Sequence, residues 1–169
     1  MLAILDAAYS ETASAVVCVT AASWDATRSL DEISLTAGPP AAYEPGQFFK
    51  RELPLLVDVL ARLPDRPATI VIDGYVWLGM DGRKGLGAHL YDALGEACAV
   101  VGIAKTRFAD AEQWSAKVIR GAGTSPLYVT AAGIALDDAA AGVKRMSGGH
   151  RIPALVGLAD RLARRALRP

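Results

Sequence analysis

Residues 69–90, TIVIDGYVWLGMDGRKGLGAHL, decide how the chain folds. The run from Thr69 to Ile72 is apolar and β-branched, which reads as a buried strand. Asp73-Gly74 is a turn pair, and from Gly85 the text becomes helical as far as residue 97. A second apolar run, AVVGIA at 99–104, follows. Strand, helix and strand in that order imply parallel pairing through a right-handed crossover. A carboxylate where the strand stops, Asp73, either caps a turn or holds something. Which of the two applies depends on whether other acids converge on it.

Upstream, residues 2–7 read as a short strand carrying Asp6, and residues 13–20 as a second strand behind the turn SETAS. Residues 27–36 make a third, so an antiparallel meander is expected. GPPAAYEPG is turn chemistry. From Gln47 the apolar residues Phe49, Leu53, Leu56, Val59, Leu60 and Leu63 recur at three- and four-residue steps, a helix in which Pro54 predicts a kink or an offset start. Downstream, 116–120 and 127–130 predict a hairpin around GAGTSP. Residues 135–146 and 153–167 predict two closing helices, the last with a basic end at Arg161, Arg164, Arg165 and Arg168. Without repeats or a linker, residues 1–169 read as a single α/β domain, antiparallel strands first and parallel ones after.

Length and composition agree. The 169 residues are 52% hydrophobic, enough for one substantial core. The net charge of zero argues against a strongly basic nucleic-acid sponge, though not against binding through one local cleft or through metal ions. Cys18 and Cys98 lie in apolar runs, as buried free thiols of a reducing compartment do. With no signal peptide and no apolar run of the ~18 to 20 residues that a membrane span needs, a cytoplasmic protein is expected, with no membrane and no obligate protein partner.

Three acids then stand out: Asp6 in the first strand, Glu52 on the first long helix and Asp73 ending the fourth strand. Singly, each has an ordinary use: Asp6 starts a turn, Glu52 joins a solvated helix face beside Lys50 and Arg51, and Asp73-Gly74 makes a turn. Jointly, three mutually repelling carboxylates at one spot make sense mainly around a cation. Mg²⁺ takes oxygen ligands, and such ions assist phosphodiester cleavage. A mixed sheet led by a three-strand meander, with an acid in its first strand, is the ribonuclease H-like layout.

Several ordered motifs carry a more specific likeness. YEPGQFFKRELPLL from Tyr43, IVIDGYVWLGMDGRKGLGAHL, VVGIAKTRF and SPLYVTAAG resemble, in order, the motifs of the endonuclease V family. Asp6 falls where that family has its first-strand aspartate. The resemblance spans nearly the whole chain and implies a ribonuclease H-like fold. It also implies DNA or RNA cleavage of the nucleic-acid repair type, dependent on Mg²⁺ with Mn²⁺ as a substitute. The cut would fall near a deaminated base, above all inosine, at the second phosphodiester on its 3′ side. It makes Asp6, Glu52 and Asp73 metal ligands and Lys105 the cation at the scissile phosphate. Tyr43, Pro45 and Gly46 become the wedge that fills the place of an extruded base. Gly74 and the loop after it, with Trp77, become the lining of the base pocket.

The chain departs from the family at three functional places. The loop after Asp73 lacks the family's histidines, the later Gly-His-Arg strand end reads Ala132-Gly133-Ile134, and Glu44 puts a negative charge in the wedge. Asp138, or its neighbour Asp137, at the start of the penultimate helix, is expected to compensate as a fourth metal ligand, against a plainer use of an acid at a helix N-terminus. A second reading follows from these losses: a catalytically impaired homologue that binds nucleic acid or a protein partner through the same cleft. His89, His150 and the two cysteines are too dispersed for a zinc site, and GRKGLG lacks the ending of a phosphate loop.

Overall fold

The computed structural model describes residues 1–40, Gln47 and residues 49–168. The meander is present: β1 (Leu2–Tyr9), β2 (Ser14–Ala21) and β3 (Asp31–Ala37) pair antiparallel in sequence. Helix α1 (Phe49–Leu60) follows and runs on through Pro54. Strand β4 (Thr69–Asp73) then joins β1 in parallel on the side away from β2. After a small hairpin, β5 (Trp77–Leu78) with β6 (Arg83–Lys84), and helix α2 (Leu86–Ala93), strand β7 (Ala99–Ala104) pairs parallel with β4.

A 3₁₀ turn (Ala109–Trp114), β8 (Ala116–Val118), β9 (Leu127–Ala132) and helices α3 (Leu136–Arg145) and α4 (Ala154–Ala166) complete the chain. The seven-stranded order is β3-β2-β1-β4-β7-β9-β8. The parallel part is confined to β1, β4 and β7, because β9 returns antiparallel to β7. The expected mixed sheet is therefore right, with antiparallel strands at both flanks.

Alternation along each strand builds two cores. Ile4, Val17, Val71 and Ile103 face α3 and α4, together with Val143, Leu155 and Ala159. Ala3, Leu5, Ile70, Ile72 and Val100 face α1 and α2, with Leu56, Val59 and Leu90. Side chains two apart share a face, so Asp6, Asp73 and Lys105 follow Ile4, Val71 and Ile103 toward the α4 side. They do so where the strands run out and the helices no longer cover them.

Helix α2 is shorter than its periodicity predicts. Gly95 and Glu96 take positive φ values of 63° and 59° directly after it, and the Gly95 and Glu96 amides turn back to the Asp92 and Tyr91 carbonyls. That is the left-handed reversal by which helices commonly stop. Among the described residues no helix is long and apolar enough to cross a membrane.

Candidate active site

Strand register assembles the first half of the site. The parallel β1–β4 ladder ends with Leu5 opposite Ile72, so Asp6 and Asp73 come next, side by side on strands about 4.8 Å apart. The β4–β7 ladder sets Asp73 opposite Ile103, and Lys105 lies one same-face step beyond. Its ammonium donates a hydrogen bond to Asp73 Oδ2 and forms an ion pair with it.

The β4 end is braced from below. The Gly74 amide donates to the Ile103 carbonyl at 3.0 Å, and a Cβ on Gly102 would come within 2.4 Å of the Gly74 carbonyl oxygen. Only a glycine lets β7 approach the Asp73–Gly74 turn this closely.

Glu52 supplies the other half from the opposite layer. It sits in the first turn of α1 on the buried face with Leu56 and Val59, and is only 9% exposed. A solvated helix position is thus excluded. Asp6, Glu52 and Asp73 together line one cavity of about 230 Å³, floored by Leu5, Leu56, Ile72 and Leu86. A slightly larger apolar cavity of about 260 Å³, between Leu60, Ile70 and Leu94, opens where the strands begin and holds none of these groups.

The electrostatics are those of a carboxylate cluster short of positive charge. Burial, and then the Asp73 charge, push the Asp6 carboxyl up to about 6, against the Ala7 amide that donates to its Oδ1 at 2.8 Å. Burial pushes Glu52 up to about 7, with Asp6 and Asp73 adding to it. The Tyr9 hydroxyl faces Glu52 and moderates that rise. It is buried and makes no well-aligned hydrogen bond, while its ring lies 4.0 Å from the Arg51 guanidinium. Burial works against the Lys105 charge, but the Asp73 bond and charge, with Asp6 and Asp160, more than offset it, so Lys105 is held protonated.

Asp160 is the acid that sequence reading passed over. Its charge on α4 adds to the rise of both Asp6 and Lys105, and it is paired with Arg164 at 2.8 Å. Asp138, expected in that role, is exposed on α3, and neither it nor Asp160 lines the cavity. The signal was available: Asp160 follows Val156 by one helical turn and adjoins Ala159, so an acid borders the buried stripe of α4. Arg151 was also missed. Its guanidinium bridges the carbonyls of Lys105 and Pro126, the latter at 2.6 Å, tying the cation's backbone to the loop that leads into α4.

Gly74 lines a neighbouring cavity of about 180 Å³ with Phe49, Asp73, Tyr75, Leu78, Lys84, Gly85 and Leu86. It shares Asp73 and Leu86 with the acid cavity, so the two are contiguous. Trp77 does not line it. Its indole donates to the Ala131 carbonyl at 2.8 Å and its ring packs 6.1 Å from Trp114, which makes it part of the loop's anchorage. Tyr43, Pro45 and Gly46 lie outside the described residues. His89 stacks on Phe49 at 3.6 Å, and burial lowers its pKa.

A sequence model of the Endonuclease V family matches residues 1–120. The chain belongs to the endonuclease V family. An endonuclease V of Desulfurococcus amylolyticus is 30% identical over 145 residues, which cover 77% of this chain and 65% of that protein. One from Streptomyces avermitilis is 28% identical over an alignment covering 97% of this chain and 79% of the relative. The crystal structure of the Streptomyces avermitilis endonuclease V superposes with a TM-score of 0.77 at 26% identity, over 98% of this chain and 80% of that one. The Ciona intestinalis endonuclease V, solved with a DNA containing an inosine, shares the fold at a TM-score of 0.79 and 18% identity, over 98% and 85% of the two chains. The expected mixed sheet flanked by helices is thus the fold of the chain, and endonuclease V structures share it.

The donors suit a hard cation in kind, since every candidate is a carboxylate oxygen. They are not drawn together as a finished ligand sphere: among the described residues no three His, Cys, Asp or Glu side chains are gathered closely enough to hold a metal ion. Lys105, seated on Asp73, stands in the position of a counter-charge.

Proposed function

We propose that the protein is a divalent-metal-dependent endonuclease that cuts a phosphodiester near a deaminated base, inosine foremost, in DNA or RNA. One observation carries the reading: acids from β1, α1 and β4 line a single cavity, and a protonated lysine reaches its rim. Family membership and the inosine-containing DNA bound to the Ciona relative support it.

Asp6, Glu52 and Asp73, with Asp160 behind them, are the residues that would hold Mg²⁺ or Mn²⁺. The ion would polarise the phosphate and make the attacking water more acidic. The chain's own residues do the rest. Leu5, Leu56, Ile72 and Leu86 line the cavity beside the acids, and burial there strengthens the charge interactions of Asp6 and Glu52. Lys105 keeps its proton on Nζ and can pass its hydrogen bond from Asp73 to a phosphate oxygen, where negative charge builds up. The cavity beside Gly74 adjoins the acids and offers an apolar floor at Leu78 and Leu86 with polar backbone around it, which suits one extruded base.

The test is incubation with Mg²⁺ and matched inosine-containing and plain oligonucleotides, single- and double-stranded. Cleavage of the inosine strands supports the proposal. Asp73→Asn, which keeps size and shape at an exposed-edge position, is expected to fold normally and lose cleavage at least ~100-fold; near-normal turnover would refute the assignment. Lys105 seated on Asp73, with no three potential ligands gathered among the described residues, favours one rival, a non-catalytic homologue that binds through the same cleft. Retention of the oligonucleotide with no cut at any Mg²⁺ or Mn²⁺ concentration would decide for that rival.

A further inference from the structure

Lys105 stands where strand pairing has stopped. The β7–β9 ladder ends with Ala104 opposite Tyr128, so the backbone that carries Nζ to Asp73 lies just past the last ladder pair. A side chain on a loose backbone holds no fixed position, and a misplacement of about 1 Å can cost a reaction ~100-fold in rate. Two side chains from outside the strand take over. The Arg151 guanidinium donates through Nη2 to the Lys105 carbonyl and to the Pro126 carbonyl, the latter at 2.6 Å. From the other side the Tyr75 hydroxyl donates to the Thr106 carbonyl at 2.8 Å and accepts from the Phe108 amide at 3.0 Å.

Arg151 is itself held, by a second arginine. Arg120, just past β8, is 6% exposed. Its guanidinium donates to the carbonyls of Lys144, Ser147, Gly148, His150 and Arg151 at 3.1 to 3.5 Å, and to that of Met146. A buried cation is costly unless its donors are used, and here all three nitrogens are used on carbonyls. Those of Lys144 and Met146 belong to the C-terminal end of α3, where carbonyls lack helical partners and a cation is favoured. The others belong to the α3–α4 connection. The β8–β9 loop presses on the same connection: a Cβ on Gly121, at φ 66°, would come within 2.5 Å of the Gly149 carbonyl oxygen. A segment that only joined two helices could stay solvated. This one is fixed along its length, and the last residue so fixed is the one that reaches Lys105.

We propose that Arg151, fixed by Arg120, is a positioning residue for the cleavage reaction: it holds the Lys105 backbone so that Nζ stays at the rim of the acid cavity. This role rests on the nuclease reading for its effect on rate, but not for its effect on the backbone.

Arg151→Met removes the donor. The single-turnover cleavage rate of an inosine oligonucleotide should then fall about tenfold, while its affinity, read by fluorescence anisotropy, stays within about twofold. Both bonds leave from one nitrogen, so Arg151→Lys supplies an equivalent cationic donor and should restore most of the rate. A double-mutant cycle separates positioning from mere support of the fold. In a Lys105→Met background, adding Arg151→Met should change the residual rate less than about twofold, because nothing is left to position. Hydrogen exchange across residues 105–108 reads the backbone without catalysis: it should quicken about tenfold in Arg151→Met and keep the parent's rate in Arg151→Lys. Arg120→Lys, whose one nitrogen cannot span so many carbonyls, should quicken exchange at 146–151 and 105–108 together; quickening confined to 146–151 would remove Arg120 from the proposal. If Arg151→Met fails to fold, Arg151→Gln, too short to bridge both carbonyls, carries the same expectations. Equal rate losses with and without Lys105, or exchange at 105–108 left at the parent's rate, would overturn the positioning role. If the parent never cuts inosine strands, the nuclease reading falls, and exchange alone upholds or removes the hold on Lys105.

Discussion

At the scale of single residues, the site is a set of charges whose meaning comes from their neighbours. Asp6 and Asp73 repel across adjacent strands, Glu52 is buried with no ion pair among the described residues, and Lys105 offsets one of the three. Asp160 adds a fourth acid within reach of Asp6 and Lys105, restrained by Arg164 one helical turn away. Two acids are thus candidates for the same role, and of the two only Asp160 acts electrostatically on Asp6 and Lys105. Asp160→Asn is expected to lower Mg²⁺-dependent cleavage at least ~10-fold, because removing a charge that faces the reacting groups costs transition-state stabilisation. Asp138→Asn, exposed on α3, is expected to stay within twofold of the parent. Steady-state cleavage of one inosine oligonucleotide by both variants checks the pair, and the reverse ranking would return the role to Asp138.

At the scale of elements, what matters is how the loop after β4 is pinned over the sheet. Thr130 on β9 is fully buried, and its hydroxyl accepts the Val76 amide at 2.8 Å across the width of β7. With Gly102 admitting the Gly74 carbonyl, this bond fixes the turn that presents Asp73. Thr130→Val keeps the shape and removes the acceptor, leaving a buried amide unpaired at a cost of about 1–3 kcal/mol. Urea unfolding should show that loss, together with weaker cleavage as the turn loosens; an unchanged midpoint would mean that another acceptor takes over.

The elements themselves were largely legible. The three-strand meander, the β4–α2–β7 crossover and both closing helices follow from apolar spacing to within a few residues at most boundaries. The β5–β6 hairpin was not, because two-residue strands are too short to carry a period. Nor was the passage of α1 through Pro54.

At the scale of the whole molecule, the sequence names the acids but not their register. That Asp6 meets Asp73 depends on a pairing offset between strands separated by a helix, and it depends on long-range packing that no local pattern records. The same holds for Asp160, whose place follows from how α4 lies across β1.

Once assembled, the cluster couples the stability of the fold to pH. In the unfolded chain Asp6 and Glu52 lose their protons near the ordinary 3.8 and 4.5, but in the fold they hold them to about 6 and about 7. Between about pH 4 and 7 the native state therefore binds more protons than the unfolded one, and unfolding free energy falls as pH rises. The contribution is fully favourable below the unfolded values and is lost above the folded ones. Exposed acids such as Glu112, held low by Arg107 and Lys117, act in the opposite sense, but only at the acidic end.

The metal-free protein should accordingly show a melting temperature that declines from about pH 5 to 7.5, and Glu52→Gln should flatten the decline by removing the group with the highest folded value. A divalent ion needs the ionised carboxylates, so Mg²⁺ or Mn²⁺ should raise the melting temperature increasingly toward high pH and most weakly near pH 5. Thermal melts across this range, with EDTA and with each ion, check both halves. If Glu52→Gln melts with the parent's slope, the buried acids do not carry the proton linkage. If the ion stabilises equally at pH 5 and pH 7.5, it does not bind through them.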